Sequence, residues 1–369
     1  MKLMKTTEAV GQVLCHDITQ IIPGVKKDAV FRKGHIITKE DIPVLLSVGK
    51  ETIYIWENDE TMMHENEAAE VLYRMSACGT NSNETDGERH CEAAESGVFG
   101  GTASKMHPSP VKEGKIEVIA DCDGLLKVDS EKLKKVNSFG EMMIATRHGN
   151  TTVKKGDKLA GTRIIPLVIK KDKLEAASHI CDDGPILDIK PFVVRKAAII
   201  TTGNEVFHGR IQDAFTPVIE KKIAEFGAHM MFHEVFDDDD QKITDGCLRA
   251  IEAGAEIVFC TGGMSVDPDD KTPLAIKNTG ARIVSYGSPV LPGAMFLLSY
   301  YDAGDRLVPI CGLPGCAMYN KRTIFDIVLP RLMACDMILV DELAGLGEGG
   351  LCLNCDVCTF PNCGFGKGF

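Results

Sequence analysis

The chain has 369 residues, 44% of them apolar, and a formal net charge of −12 at pH 7. That length suits two to three domains with ordinary hydrophobic cores. The acidic balance argues against a general nucleic-acid binder, whose phosphate contacts need clustered Lys and Arg, but not against a small anion held by backbone N–H groups. No run of 18 apolar residues occurs and Met1–Glu8 resembles no signal peptide, so no membrane partner and a cytoplasmic location are expected.

Residues 1–75 read as a small α+β domain. Thr38 and Asp41 open a short helix carrying Ile42, Leu45 and Leu46, which stops at Gly49, and residues 52–56 form a strand ending at the sole tryptophan, Trp56, taken as core. Residues 67–75 have helical apolar spacing at Ala68, Val71, Leu72 and Met75. Residues 76–110 lose all periodicity and read as a flexible linker or insertion; Cys78, His90, Cys91 and His107 within it fit no compact metal pattern. Residues 111–194 read as β-rich, with strands at 115–119 and 162–169 and a short helix at 131–137.

From Arg195 the pattern becomes strictly alternating. Apolar runs at 196–200, 229–235 and 256–260 alternate with amphipathic helices at 213–226 and 242–253, each closed by a glycine. Further strands are expected at 282–286, 295–300 and 307–311, then a helix to about Met333. The expected fold over 195–340 is therefore α/β: a three-layer, mostly parallel sheet with helices on both faces.

Four strand ends carry glycine or acid: Thr201–Glu205, Asp237–Asp240, Thr261–Asp270 and Gly312–Gly315. Any one of them could be turn chemistry. All four fall on the carboxyl edge, where open α/β sheets bind ligands. The richest is Thr261-Gly262-Gly263-Met264-Ser265-Val266-Asp267-Pro268-Asp269-Asp270. Paired glycines let backbone N–H groups approach a phosphate, and a carboxylate beside them suits hydrated Mg²⁺. Asp270 is ranked above Asp267 and Asp269, which are expected to be mostly solvated. Glu205 could instead cap a helix, and residues 237–240 could be a solvated acidic loop.

Residues 195–335 resemble the molybdenum-cofactor biosynthesis domain, the molybdopterin-binding fold of molybdopterin adenylyltransferases and molybdotransferases. Thr202-Gly203-Asn204-Glu205, Thr261-Gly-Gly-Met-Ser-Val266, Asp270-Lys-Thr-Pro273 and Gly312-Leu-Pro-Gly315 are similar to its motifs and stand in its order. The resemblance implies molybdopterin or its nucleotide form as ligand, with ATP and Mg²⁺ as possible co-reactants. It implies Asp270 as the catalytic or Mg²⁺-holding carboxylate and Gly262, Gly263 and Ser265 as the phosphate loop. Thr202, Gly203, Glu205, Asp238, Thr261, Gly312, Pro314 and Gly315 would be further contacts. By resemblance, a homo-oligomer is expected. Residues 1–56 resemble the outer domains of the molybdotransferase branch more weakly. The chain departs from that branch at Leu291-Pro-Gly-Ala294, where a lysine is expected, at Cys316, where an asparagine is expected, and at Asp213-Ala-Phe-Thr216, where an Asp-Ser-Asn string is expected. The implied function is Mg-dependent nucleotidyl transfer or metal insertion. The alternative is a non-catalytic carrier or scaffold that docks a recipient molybdoenzyme.

Fourteen cysteines are many for this length. Ten are scattered singly and read as reduced, buried thiols. The other four, Cys352, Cys355, Cys358 and Cys363, follow a Gly-rich linker in a Cys-rich tail, residues 341–369. Their spacing resembles the opening of a bacterial ferredoxin run, and four thiolates equally suit Zn²⁺, so an iron–sulfur cluster or Zn²⁺ is expected there.

Overall fold

A computed structural model describes residues 2–22, 26–55, 59–78, 105–265, 267 and 270–368. The expectations for Trp56, His90, Cys91 and Asp269 lie outside them. Two compact units form: Met1–Asp121 with Val128–Arg147 and Lys155–Asp188, and Cys122–Lys127 with His148–Lys154 and Ile189–Phe369.

In the first unit, strand Lys2–Lys5 pairs antiparallel with Thr52–Ile55 over a core of Leu14, Ile18, Ile37, Leu45 and Ile53. The helix between runs from Asp41 to Ser47, and the Asp41 carboxylate reaches back to accept from Thr38 N and Oγ1 at 2.8 and 2.9 Å. Helix Glu65–Ala77 buries Ala68, Ala69, Leu72 and Met75. Strands Met106–Pro108, Lys115–Ala120, Lys158–Ile164 and Met142–Thr146 form one antiparallel sheet in that order. Lys115–Ala120 alternates buried and half-exposed positions, as a sheet with one face on the core requires.

The second unit holds a six-stranded sheet. In chain order its elements are β1 (Lys196–Thr202), α1 (Thr216–Ala224), β2 (His229–Phe236), α2 (Asp240–Glu252), β3 (Ile257–Thr261), α3 (Thr272–Asn278), β4 (Arg282–Tyr286), β5 (Leu297–Asp302), β6 (Leu307–Leu313) and α4 (Ile324–Met333). The strand order is β2-β1-β3-β6-β5-β4. The first four are parallel, and β5 and β4 add on antiparallel. Alternate residues of each strand face opposite sides. Ile199 and Phe259 pack with Ile219, Ile223, Phe325 and Leu329 of α1 and α4. Ala198, Ile200, Val258 and Cys260 pack with Ile243, Cys247, Ala275 and Ile276 of α2 and α3. Because β3 is buried on both faces, it reads as an unbroken apolar run, Ile-Val-Phe-Cys.

The first helix is shorter than its apolar pattern predicts. It starts at Thr216, and just before it the Asp213 carboxylate accepts from Phe215 N at 2.8 Å and Thr216 N at 3.2 Å, holding residues 213–215 in a turn outside the helix. The scattered cysteines are not uniformly buried. Cys15, Cys181, Cys247, Cys260 and Cys311 are, but Cys78 and Cys335 are exposed, because they fall just past the ends of helices. Among the described residues, no helix is long and apolar enough to cross a membrane.

Candidate functional site

The carboxyl ends of β1, β3 and β6 stand side by side, since these strands are parallel neighbours. Thr202 closes β1 as a buried residue. Its Oγ1 donates to Thr261 O at 3.1 Å and lies 3.0 Å from Thr272 Oγ1, which donates to Gly262 O at 2.8 Å. These two hydroxyls fasten the Gly262-Gly263 turn from below. Gly262 has φ +83°, and a Cβ there would stand 2.1 Å from Thr202 O, so only glycine fits.

The far end of the loop is tied by Asp270, whose Oδ2 accepts from Ser265 N at 2.7 Å. Asp270 N donates to Asp267 O at 2.9 Å, closing the turn, while the Asp267 side chain is exposed. The Tyr286 hydroxyl of β4 donates to Met264 O at 3.2 Å. Burial pushes the Tyr286 phenol up, and the Asp270 charge adds to that shift.

This loop forms one wall of a cleft of about 620 Å³. Gly262, Gly263, Ser265 and Asp270 line it on the β3 side, and Pro314, Gly315 and Cys316 on the β6 side. Leu291–Ala294, Phe215 and Tyr319 also line it. The sequence reading missed Phe215 and Tyr319 as site residues. Tyr319 is 74% exposed and follows the Gly-Leu-Pro-Gly turn, a signal that could have marked it. Phe215 had none, because it is placed by Asp213. That carboxylate also accepts from Thr201 Oγ1 at 2.9 Å and Thr216 Oγ1 at 2.6 Å. Burial pushes Asp213 up, but the hydrogen bonds from Thr216 and Thr201 outweigh it and hold the group below the ordinary carboxylate range.

Of the twelve predicted residues outside the tail, six line the cleft: Gly262, Gly263, Ser265, Asp270, Pro314 and Gly315. Thr202 and Thr261 are buried beneath it. Gly312 lies under Met264, where a Cβ would meet Met264 Cε at 2.5 Å. Gly203, at φ +131°, starts the short helix Asn204–Phe207. Glu205 is exposed on that helix, and Asp238 Oδ2 accepts from Asn204 N at 3.2 Å; neither lines the cleft. No lysine or arginine is among the lining residues, and Ala294 and Cys316 both are. Among the described residues, no group of three or more His, Cys, Asp or Glu converges as a metal ion would require. The four tail cysteines stand around a separate pocket.

Residues 198–334 match the family model described as "Probable molybdopterin binding domain", and residues 3–57 match a domain of unknown function (DUF8806). A "Putative competence-damage inducible protein" of Bacillus velezensis is 29% identical over 90 residues, which cover 24% of this chain and 21% of that protein. A molybdopterin adenylyltransferase of Pyrococcus furiosus is 26% identical over 131 residues, 32% of this chain and 77% of that protein. A molybdopterin molybdenumtransferase of a Nostoc species is 23% identical over 197 residues, 52% of this chain and 42% of that protein. The chain thus spans about a fifth of the length of the Bacillus relative. Residues 198–334 are a member of the molybdenum-cofactor biosynthesis domain family.

Proposed function

We propose that this chain, through its molybdenum-cofactor biosynthesis domain, binds molybdopterin or its nucleotide form in the cleft between Gly262–Asp270 and Leu313–Cys316 and acts in biosynthesis or maturation of the cofactor. The observation that carries this reading is convergence. Two glycine turns separated by about fifty residues of sequence meet across one cleft at the carboxyl edge of a parallel sheet, and a single carboxylate, Asp270, stands beside them. An anion is held there by backbone N–H groups rather than by cationic side chains, since the lining has none.

In the catalytic form, the chain transfers a nucleotidyl group from ATP or inserts metal. Asp270 is then the group that would hold Mg²⁺, an ion that keeps most of its water and takes one or two carboxylates besides phosphate oxygens. When bound, Mg²⁺ supplies charge neutralisation on a transferring phosphoryl group. The protein's part is positional: Ser265 N fixes one Asp270 oxygen, and the Gly262-Gly263 backbone orients the phosphate.

The missing cations favour a second reading, a carrier that holds finished cofactor for a recipient molybdoenzyme. Ala294 and Cys316 occupy the cleft where the molybdotransferase pattern has lysine and asparagine. The two readings separate when purified protein is mixed with molybdopterin and Mg-ATP. Pyrophosphate release or an adenylylated pterin, lost in Asp270→Asn, supports the enzyme. Retained pterin fluorescence without turnover supports the carrier, and no pterin binding sinks both.

A further inference from the structure

The C-terminal segment holds a chemistry that the cleft does not use. Cys352, Cys355, Cys358 and Cys363 all line one pocket of about 240 Å³. The wall also has apolar Leu351, Leu353, Phe360 and Phe365, neutral polar Asn354 and Thr359, and the cations Lys321 and Arg322, and no histidine or carboxylate lines it. All four thiols are free. Thiols are therefore the only strong metal-binding side chains in its lining, which favours a soft thiophilic centre.

We propose that this pocket seats a four-iron, four-sulfide cluster ligated by Cys352, Cys355, Cys358 and Cys363. A single tetrahedral zinc draws four sulfurs to about 2.3 Å from one point and leaves no space between them. Here, among the described residues, no three metal-binding side chains stand close enough to share one ion, yet four cysteines surround a cavity. A cluster keeps its ligands apart by its own body, each thiolate on a different iron, the four thiol protons passing to solvent. The Cys-x-x-Cys-x-x-Cys spacing with a fourth cysteine five residues on supplies the ligand number.

The surroundings suit a polynuclear anion. Arg322 is held by Asp326 at 2.9 Å and lies over the Phe360 ring at 5.0 Å from its centroid, so a fixed cation lines the pocket. A cation beside the ligands favours the reduced, more negative cluster. Lys321 Nζ donates to Cys355 O and Asp356 O at 3.3 and 3.2 Å and so fixes the loop between two ligands. Phe365 ties the segment into the core beside Ile327 and Phe325. This inference does not rest on the molybdopterin reading.

The test uses the full chain, purified anaerobically and then reconstituted with ferrous iron, sulfide and a thiol reductant, with a parallel sample given zinc chloride alone. The expected result is about four irons and four acid-labile sulfides per chain, with a broad visible absorption that bleaches on dithionite. Cys355→Ser and Cys358→Ser each lower bound iron by about tenfold, while Cys335→Ser, at an exposed thiol outside the pocket, leaves it unchanged. Far-UV circular dichroism of each variant identifies misfolding. Electron paramagnetic resonance of the reduced wild-type protein reads the cluster independently of any variant. One tightly held zinc with no sulfide, or wild-type protein with neither iron nor sulfide after reconstitution, overturns the assignment.

Discussion

Replacing Gly262 with alanine tests how the cleft is built. The added Cβ would meet Thr202 O at 2.1 Å and Thr202 Oγ1 at 2.9 Å, and the backbone there sits at φ +83°. The left-handed conformation costs an L-residue about 1 kcal/mol. Relieving a clash with a main-chain oxygen in a packed core adds roughly 1–3 kcal/mol. The sum, about 2–4 kcal/mol, lowers Tm by roughly 4–16 °C for a unit of this size. The displaced atom belongs to the end of β1, so Thr202 must also release Thr261 O or Thr272. Pterin retention should therefore fall together with stability. Gly315→Ala is the matched control, since a Cβ there meets nothing within 4 Å. Its unfolding free energy should stay within about 0.5 kcal/mol of wild type, although it too lines the cleft. Differential scanning calorimetry and pterin fluorescence on both variants check the pair. A Gly262→Ala protein as stable as Gly315→Ala would refute the close-approach reasoning.

Thr202→Val removes the buried hydroxyl beneath the loop and should cost about 1–3 kcal/mol in urea unfolding, with unchanged far-UV dichroism. Ala294→Lys places a cation on an exposed cleft position at no packing cost and should tighten an anionic pterin roughly fivefold at low salt, with the gain fading as ionic strength rises; equilibrium fluorescence titration at two salt concentrations reads it. Asp336 supplies a pH signature away from the cleft. Burial pushes its carboxyl up, but Lys127, Lys190 and Arg331 outweigh that and hold it at about 2. Its folded pKa lies below its unfolded value, so it contributes stability above about pH 4 that is lost as pH falls toward 2, roughly 2 kcal/mol in all. Asp336→Asn should flatten that part of the stability–pH curve, and an unchanged slope between pH 4 and 2 would count against the ion network.

The positions of β1, β3 and β6 and the glycine turns that follow them were legible from sequence because each obeys a local rule. A strand buried on both faces needs an unbroken apolar run, and a turn where an added Cβ would stand 2.1 Å from a neighbouring carbonyl oxygen admits only glycine. Asp270 was legible for a similar reason, since it ends the loop that it ties through Ser265 N. Tertiary structure alone decided which acidic residues reach the cleft. Glu205 and Asp238 share the same sheet edge in sequence, yet the short helix Asn204–Phe207 carries Glu205 into solvent and Asp238 turns to the backbone of Asn204. Other lining residues were equally hidden: Phe215 is placed by its N–H to the Asp213 carboxylate, and Leu291–Ala294 by a loop between antiparallel strands. Cysteine spacing marked four thiols, but their standing around one cavity, with Arg322 over the Phe360 ring beside them, depends on contacts between residues more than thirty apart in the chain. Local patterns specify strands, turns and caps because those are settled by neighbouring residues. Which side chains then face one space is settled by packing between elements distant in sequence.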